Sequence, residues 1–316
     1  KNNKPHAITV HSGTNALEII ASYYYSILTT RLPKVIIPSM TFRATANAWI
    51  RAGWEIIVAD CDQHGMMDID SVQEYHNDAL AVCLVGLYGS SLKNYRTKKW
   101  QELRADENWL VIEDAAQHWL SWDCRRIGPA AAISFDPMKN LGNNGNGGAV
   151  VTSFREIEQF ARSFRAHGKG DSFATGSNSR MSEIDCATML IKAKYIDEWQ
   201  ERRQTIGLYW IERLNEKSET RCLIDSSNVQ EHCFHKFVID CNTDRNKIQE
   251  YLQQQGIDTK VHYEYGINEI GSFHGVKPLL ANSTSLSRRV LSLPIYPELT
   301  DLEVEYIIDQ VLDCVA

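Results

Sequence analysis

The sequence has no apolar segment long enough to cross a membrane and no excess of positive charge. Its longest apolar stretches, such as residues 79–87, fall far short of the roughly 20 residues that a spanning helix needs, and residues 1–4 lead into no signal-like segment. A formal net charge of −7 does not favour nucleic acid or anionic membrane as a partner, because phosphate surfaces select basic patches. We therefore predict a soluble, cytoplasmic protein, for which small-molecule chemistry remains open.

The sequence also lacks any Cys-x-x-Cys pair. Its eight cysteines are scattered over 316 residues, which is typical of reduced cytosolic thiols rather than of a disulfide framework. Three metal-type ligands, His232, Cys233 and His235, do fall in a short span. However, residues 232–240 are predicted to form a strand, in which alternation would place Cys233 and His235 on one face and His232 on the other. We predict core packing for these residues and no metal site.

The first half of the sequence alternates short apolar runs with helical patterns. This alternation is typical of an α/β layer architecture with a mostly parallel sheet. The predicted strands are residues 7–11, 35–38, 55–59, 79–87, 109–113, 130–135 and 149–153, and the predicted helices are residues 15–29, 41–52, 71–75, 97–105 and 155–167.

A long, charged helical pattern from residue 182 to about residue 214 marks a domain boundary, because no strand interrupts it. We place a large domain at residues 1–205 and a small C-terminal α+β domain at residues 206–316. In the small domain, strands are predicted at 232–240 and 259–262, and helices at 245–255 and 301–314. The last helix starts with a capping-box spacing, Thr300 three residues before Glu303.

Polar residues that follow strands are the first candidates for a ligand site, since open α/β sheets bind ligands beyond the carboxyl ends of their strands. The first candidate is the turn from His11 to Asn15, where a strand passes through Ser12, Gly13 and Thr14 into a helix. Its free backbone N–H groups and the positive end of the helix dipole would suit a phosphate. A simple helix cap explains the same turn.

The second candidate is Asp114, a carboxylate directly after the apolar residues 109–112. An acid in this position is poorly solvated and normally has a partner, which is a metal, a helix N-terminus or a protonated ligand nitrogen. The alternative is that Asp114 caps a helix.

The third candidate is Lys139, between a predicted strand and the glycine-rich residues 142–148. Inside a cleft, desolvation would lower the pKa of this lysine and free its amine for Schiff-base chemistry, although a lone lysine is usually a surface residue. The glycine run precedes a strand and opens no helix, so it is not a dinucleotide fingerprint, and it lacks the Gly-Lys-Ser/Thr ending of a P-loop.

The three candidates fit one ligand. Pyridoxal phosphate (PLP) needs an amine for its aldehyde, a carboxylate to keep its pyridine nitrogen protonated and an anion site for its phosphate. Lys139, Asp114 and the turn at residues 12–15 would supply these groups.

The same residues belong to a set of short segments that run in a recognisable order along nearly the whole chain. These segments are residues 11–17, 37–47, 112–117, 134–141, 147–150, 178–183, 262–263 and 293–297. In this order they resemble the DegT/DnrJ/StrS family of sugar aminotransferases. The resemblance implies an α/β, fold type I PLP-dependent transferase fold, similar to aspartate aminotransferase. A large α/β/α domain with a mostly parallel sheet would bind PLP beside the smaller α+β domain.

The resemblance also implies roles for residues around the cofactor ring. Lys139 would form the internal aldimine and carry the proton between Cα and the C4′ atom of the cofactor. Asp114 would pair with the pyridine nitrogen, Phe42 would stack on the ring, and Gln117 would approach the phenolic oxygen.

At the phosphate end, the resemblance assigns Gly13, Thr14 and Ser134 to the phosphate and places Asn15 in the same part of the cofactor site. Asn178 would reach this phosphate from the other subunit of a homodimer. The active site would then be built from two chains, so a monomer should be inactive.

The implied reaction is ping-pong transfer of an amino group. Glutamate, the usual donor in the family, would convert PLP to pyridoxamine phosphate, which would then aminate a nucleotide-linked keto sugar for amino-sugar and polysaccharide or O-antigen biosynthesis. Arg180, His262 and Tyr263 lie in segments that would face the substrate. Neither the sugar nor the aminated carbon, C3 or C4, follows from the sequence.

Two other functions are open. Relatives that deoxygenate sugars with PLP or pyridoxamine phosphate carry histidine in place of the lysine, so Lys139 disfavours that reaction. A non-catalytic paralogue that binds or regulates is disfavoured by the presence of Lys139, Asp114, Gln117 and Ser134 together.

The chain departs from the family pattern in three places. Family members usually have a few tens of residues before the Ser-Gly-Thr turn, which here starts at Ser12, so an N-terminal segment is expected to be absent or trimmed. Ser177 and Ser179 stand where the family often has aromatic residues beside Asn178, a change that would reshape the sugar site. Residues 123–132 are compressed.

Overall fold

The structure is a computed structural model. It describes residues 4–92, 95, 98–104, 109–121, 127–170, 175–217, 221–225, 227–242, 244–271, 273, 275–276 and 280–315. Cys124 and part of the compressed segment at residues 123–132 lie outside these ranges.

The strands of the described chain form two sheets. They are β1 (His6–Val10), β2 (Lys34–Pro38), β3 (Glu55–Ala59), β4 (Ala81–Val85), β5 (Leu110–Asp114), β6 (Ala130–Ser134), β7 (Gly148–Thr152), β8 (Arg221–Cys222), β9 (Phe237–Asp240), β10 (Gly275–Val276) and β11 (Val290–Leu293). The large sheet has the order β1-β7-β6-β5-β4-β2-β3-β10, and the small sheet has the order β11-β9-β8. In the large sheet only β7 runs against its neighbours, β1 and β6. The predicted mostly parallel sheet is confirmed.

Helices cover both faces of the large sheet and one side of the small sheet. They are α1 (Gly13–Ile27), α2 (Arg43–Arg51), α3 (Ile69–Tyr75), α4 (Lys98–Arg104), α5 (Arg155–Phe164), α6 (Glu183–Lys192), α7 (Ile196–Lys217), α8 (Arg245–Gln254), α9 (Ala281–Ser287) and α10 (Asp301–Val315). The elements predicted for the first half are present, with ends that differ by up to three residues. The predicted capping box of α10 is also present, since the Thr300 N–H donates to Glu303 and the Glu303 N–H donates to Thr300.

The large sheet lies between two apolar cores, because successive side chains of a strand point to opposite faces. Val35 and Ile37 of β2 pack with α1, α2 and α5 on one face. Ile36, between them, belongs to the second core, which includes side chains of α3 and α4. This arrangement gives the three layers, helix, sheet and helix, that the sequence predicts.

The small sheet has its own core. Trp210 of α7 packs against Phe237 of β9 and donates its indole N–H to the carbonyl of Val304 in α10, over 2.9 Å. The helical pattern at residues 182–214 is two helices, α6 and α7, separated by a turn at residues 193–195. The predicted domain division between residues 205 and 206 falls inside α7 and stays a prediction.

Of the two strands predicted in the second half, the one at residues 232–240 is confirmed only at residues 237–240, which form β9, and the one at residues 259–262 is wrong. Residues 232–236 are not strand, because their backbone is hydrogen bonded to the turn at residues 87–89 instead: the Cys233 N–H donates to the Gly89 carbonyl and the Lys236 N–H donates to the Tyr88 carbonyl. The alternation used to separate His232 from Cys233 and His235 therefore does not apply. Residues 259–262 form only an isolated bridge, between Lys260 and Ser292. The sequence patterns also missed the short strands β8, β10 and β11 and helix α9.

The described residues contain neither a cluster of metal ligands nor a membrane-spanning helix. Among them, no group of three or more His, Cys, Asp or Glu side chains is placed to hold a metal ion. None of the helices within these residues combines the length and the apolar character that crossing a bilayer would require.

Candidate active site

A cleft of about 1530 Å³ opens where the parallel strands end. Its walls come from both sheets, with Ser134 at the end of β6 and Asp114 at the end of β5 on one side, and Leu293 of β11 on the other. The predicted site residues that line it are Gly13, Thr14, Phe42, Asp114, Gln117, Ser134, Lys139, His262 and Tyr263.

Three predicted site residues do not line the cleft. The backbone N–H of Asn15 donates to the Ser12 hydroxyl, which caps α1, and its buried side-chain oxygen has no hydrogen-bond partner among the described residues. Asn178 and Arg180 are exposed on the segment before α6. The roles assigned to these three residues stay predictions.

Asp114 is buried at the end of β5, with 7% of its surface exposed. The Thr45 hydroxyl donates to its Oδ2 atom over 2.8 Å, and the Ala116 N–H donates to Oδ1 over 3.2 Å. Thr45 is itself hydrogen bonded to Thr41, with their hydroxyl oxygens 2.8 Å apart. The helix-cap interpretation of Asp114 is wrong, because residues 116–120 form turns. These bonds fix a carboxylate at the floor of the cleft.

Gln117 joins segments that are far apart in the sequence. Its side-chain carbonyl accepts from the Tyr88 N–H over 2.8 Å, and its amide donates to the Tyr263 hydroxyl over 3.1 Å. The Tyr88 hydroxyl donates to the carbonyl of His262, and the Tyr263 ring lies 6.1 Å from the Phe42 ring. Burial raises the pKa of Tyr263, so its hydroxyl stays protonated. Gln117 and Tyr263 therefore belong to one polar network along the cleft.

Lys139 lies in a turn held from both sides. Its backbone N–H donates to the Asp136 carbonyl over 2.8 Å, and the next residue, Asn140, donates from its side chain to the carbonyl of Cys233 over 2.7 Å. Burial lowers the pKa of Lys139 below its ordinary value, although Asp114 and Asp136 act in the opposite direction. The amine predicted from the sequence is thus inside the cleft and easier to deprotonate than a surface lysine.

The turn before α1 lies directly against the ends of β6 and β7. A Cβ atom at Gly13 would be 2.6 Å from the Cβ of Ser134, and one at Gly148 would be 2.4 Å from the carbonyl carbon of Ser12. Only glycine permits this approach, which places the N-terminus of a 15-residue helix beside the Ser134 hydroxyl. Such a helix end is an anion site. With Asp114 and Lys139 in the same cleft, this set of groups fits PLP.

Reasoning from the sequence missed other charged residues of the cleft. Arg203 is buried and donates to the carbonyls of Phe234 and Ile295, over 3.3 and 2.7 Å. Lys236, just before β9, also lines the cleft, where burial and the charges of Lys139 and Arg203 lower its pKa to about 8. No motif marks either residue, because each lies in a segment that the pattern predicts as ordinary helix or strand.

Comparison with known proteins identifies the family to which the chain belongs. The model of the DegT/DnrJ/EryC1/StrS aminotransferase family matches residues 2–312. The chain belongs to this family. The resemblance predicted from the sequence is therefore confirmed, and the family is PLP-dependent.

Two relatives of this chain have names that describe different functions. A Streptomyces venezuelae protein named dTDP-3-amino-3,4,6-trideoxy-alpha-D-glucose transaminase is 30% identical over 318 residues, which cover 97% of this chain and 82% of that protein. A Geobacillus stearothermophilus protein named pleiotropic regulatory protein is 28% identical over 298 residues, covering 89% and 78% of the two chains.

Similarity to a solved structure confirms the fold of this chain. The structure of S. venezuelae DesV in complex with a ketimine intermediate has a TM-score of 0.87 and 28% identity, and the match covers 99% of this chain and 85% of DesV. The predicted fold type I transferase architecture is confirmed.

Proposed function

We propose that this aminotransferase moves an amino group from an amino acid, with glutamate as the donor, to a nucleotide-linked keto sugar. The observation that carries the proposal is the meeting of the Lys139 amine, the buried Asp114 carboxylate and the N-terminus of α1 in one cleft. The substrate class is supported by the name of the S. venezuelae transaminase, which specifies a dTDP-linked amino sugar.

The cofactor would be held by residues of this cleft. Gly13, Thr14 and Ser134 would bind its phosphate, Asp114 its pyridine nitrogen and Gln117 its phenolic oxygen. Bound PLP supplies an electron sink for the bonds at the Cα atom of the donor. Because Asp114 is fixed by a hydroxyl and an amide N–H, its negative charge is directed at one place in the cleft.

Lys139 would act as the general acid and base of the reaction. Burial lowers the pKa of its ammonium, so a larger fraction of Lys139 is neutral near pH 7 than of a surface lysine. Its Nζ atom would take the proton from Cα of the donor and return a proton in the second half of the reaction. Phe42, exposed at the cleft edge and 6.1 Å from Tyr263, would cover the cofactor ring.

The proposal is tested with the purified protein and PLP. We expect a yellow protein whose cofactor becomes fixed to Lys139 on borohydride reduction, as mapped by mass spectrometry of peptides. Glutamate should convert the absorbance to that of pyridoxamine phosphate and release 2-oxoglutarate, and a panel of keto sugar nucleotides should restore the original spectrum.

The possible failures have different meanings. A colourless protein that gains no absorbance with PLP would refute the catalytic proposal and favour a binding or regulatory protein. If glutamate does not convert the cofactor but another amino acid does, only the assignment of glutamate as the donor is refuted. A sugar product that has lost a hydroxyl without gaining an amine would show the deoxygenase reaction instead.

We also infer that the chain acts as a homodimer in which Asn178 enters the cleft of the partner. The inference rests on an apolar face of α6, which begins five residues after Asn178. Ile184 is 81% exposed and Ile191 is 60% exposed, and their spacing of seven residues puts them on one side of the helix. Tyr195, in the turn that follows α6, is 50% exposed. An exposed apolar face of this kind indicates a protein interface.

Replacing Ile191 with glutamate should produce a monomer and lower kcat/KM by at least about tenfold, since a charge in an interface core costs several kcal/mol. Sedimentation velocity measures the mass and a coupled assay measures the activity. The matched control is Leu302→Glu, which changes an exposed leucine on α10 and should leave both unchanged. A dimeric, fully active Ile191→Glu variant would exclude this interface.

A further inference from the structure

The lysines that line the cleft differ in the hydrogen bonds and ion pairs that their ammonium groups form. Lys192 donates to the Gly142 carbonyl over 2.8 Å and to the Asn144 side chain over 3.1 Å. Lys260 forms an ion pair with Asp258 over 3.0 Å at the exposed rim. Lys236 is mostly buried, and within the described part of the chain its ammonium has neither a hydrogen bond nor an ion pair. A cation removed from water without a partner is costly, which indicates a ligand.

The position of Lys236 is set by its neighbours in the sequence. The His235 ring nitrogen Nδ1 lies 3.2 Å from the side-chain oxygen of Asn140, and Asn140 also donates to Cys233. These bonds join the segment of Lys236 to the segment of Lys139. The two ammonium groups are therefore electrostatic neighbours, and the charge of Lys139 helps to lower the pKa of Lys236.

The charges around Lys236 are mainly positive. Lys139 and Arg203 repel its ammonium, and Asp136 is the carboxylate that acts in the opposite direction. Burial and nearby cations hold the pKa of His262 at about 3, so this ring adds no positive charge near neutral pH. An anion placed here would relieve the repulsion among these groups.

The proposed reaction requires one anion near Lys139 in every turnover. An amino acid donor must present its Cα proton to Lys139, and its α-carboxylate is bonded directly to that carbon. The diphosphate of a sugar nucleotide is attached through C1, several bonds from C3 or C4, and the cofactor phosphate has the turn before α1.

We propose that Lys236 binds the α-carboxylate of the amino donor and so orients the Cα proton towards Lys139. Lys236 is a substrate-binding residue specific to the first half of the reaction. The proposal rests on the proposed function, and it adds the residue that recognises the donor.

The test uses the Lys236→Met holoenzyme, because methionine keeps most of the apolar stem and removes the charge. Glutamate is titrated into the PLP form under single-turnover conditions, with the cofactor absorbance as the readout. We expect the apparent Kd for glutamate to rise about 10- to 100-fold, the effect of losing one hydrogen bond to a charged group. The keto sugar half-reaction of the pyridoxamine form should keep its apparent Kd, and Lys236→Arg should recover part of the affinity for glutamate.

A second readout separates recognition from a structural role. Isoglutamine, in which the α-carboxylate is an amide, should bind wild-type enzyme more weakly than glutamate, whereas Lys236→Met should bind the two about equally. Lys260→Met, which removes a rim lysine from the same cleft, is the matched control and should preserve the preference for glutamate.

The proposal is overturned if Lys236→Met keeps the wild-type Kd for glutamate or still prefers glutamate over isoglutamine. It is also overturned if both half-reactions weaken equally, which indicates a structural role. Failure of the proposed function has a different signature, since wild-type enzyme would then show no spectral change with any amino acid.

Discussion

The Lys139→Ala variant is expected to lose amino transfer, with kcat lowered by about 10⁴-fold or more. The variant lacks both the amine that bonds to the cofactor aldehyde and the group that moves the Cα proton. The other lysines of the cleft are not expected to replace it. Lys192 is held by the loop at residues 142–144, Lys260 is held by Asp258, and Lys236 is the residue proposed to bind the donor carboxylate. The loss should appear in single-turnover reactions with glutamate, followed through the cofactor absorbance.

The variant should still fold and bind PLP, because the anion site before α1 and Asp114 are intact. Its spectrum should be that of the free aldehyde, and borohydride should no longer fix the cofactor to the protein. Lys260→Ala is the matched control and should keep kcat within about twofold, since an exposed ion pair contributes little. Turnover within tenfold of wild type in Lys139→Ala would contradict the assignment of Lys139.

The Asp114→Asn variant should lower kcat by about 10²- to 10⁴-fold, with a smaller change in the KM for glutamate. A neutral amide cannot hold a proton on the pyridine nitrogen, so the electron sink weakens although the site keeps its shape. The substitution is nearly isosteric: the asparagine carbonyl can still accept from the Ala116 N–H, and its amide can donate to the Thr45 hydroxyl. Thr45 can in turn donate to Thr41.

Thermal unfolding and steady-state kinetics distinguish chemistry from damage to the fold in Asp114→Asn. We expect the melting temperature to change little while the activity falls. Asp258→Asn makes the same substitution at the exposed rim of the cleft and should leave kcat unchanged. If Asp114→Asn retained wild-type kcat, the role of Asp114 at the pyridine nitrogen would be refuted.

Site residues that belong to local sequence patterns could be predicted from the sequence. Asp114 follows a buried apolar run, and Lys139 lies between a strand and a glycine-rich loop, so each could be placed at the end of a parallel strand without coordinates. Gly13 could be assigned to a turn, but its close approach to Ser134 could not. That contact joins two segments whose distance in space no local pattern specifies.

The errors in the second half have a related cause. The apolar residues around His235 resemble a strand, but the N–H groups of Cys233 and Lys236 donate to the turn at residues 87–89, and this tertiary contact outweighs local preference. The pairing of Gln117 with Tyr263, 146 residues away, is likewise invisible to periodicity. Lys236 was missed for the same reason, since its surroundings come from distant parts of the chain.

The sequence by itself determined the layer architecture, the family resemblance and the candidate roles of Lys139 and Asp114, because hydrophobic periodicity and residues at strand ends are local properties. Only the tertiary structure decided that these groups share one cleft, that burial lowers the pKa of Lys139, and that Lys236 lies near Lys139 with no partner for its ammonium among the residues that the structure describes. Burial and electrostatic coupling depend on which distant segments pack together. The local patterns of a single sequence do not specify those contacts.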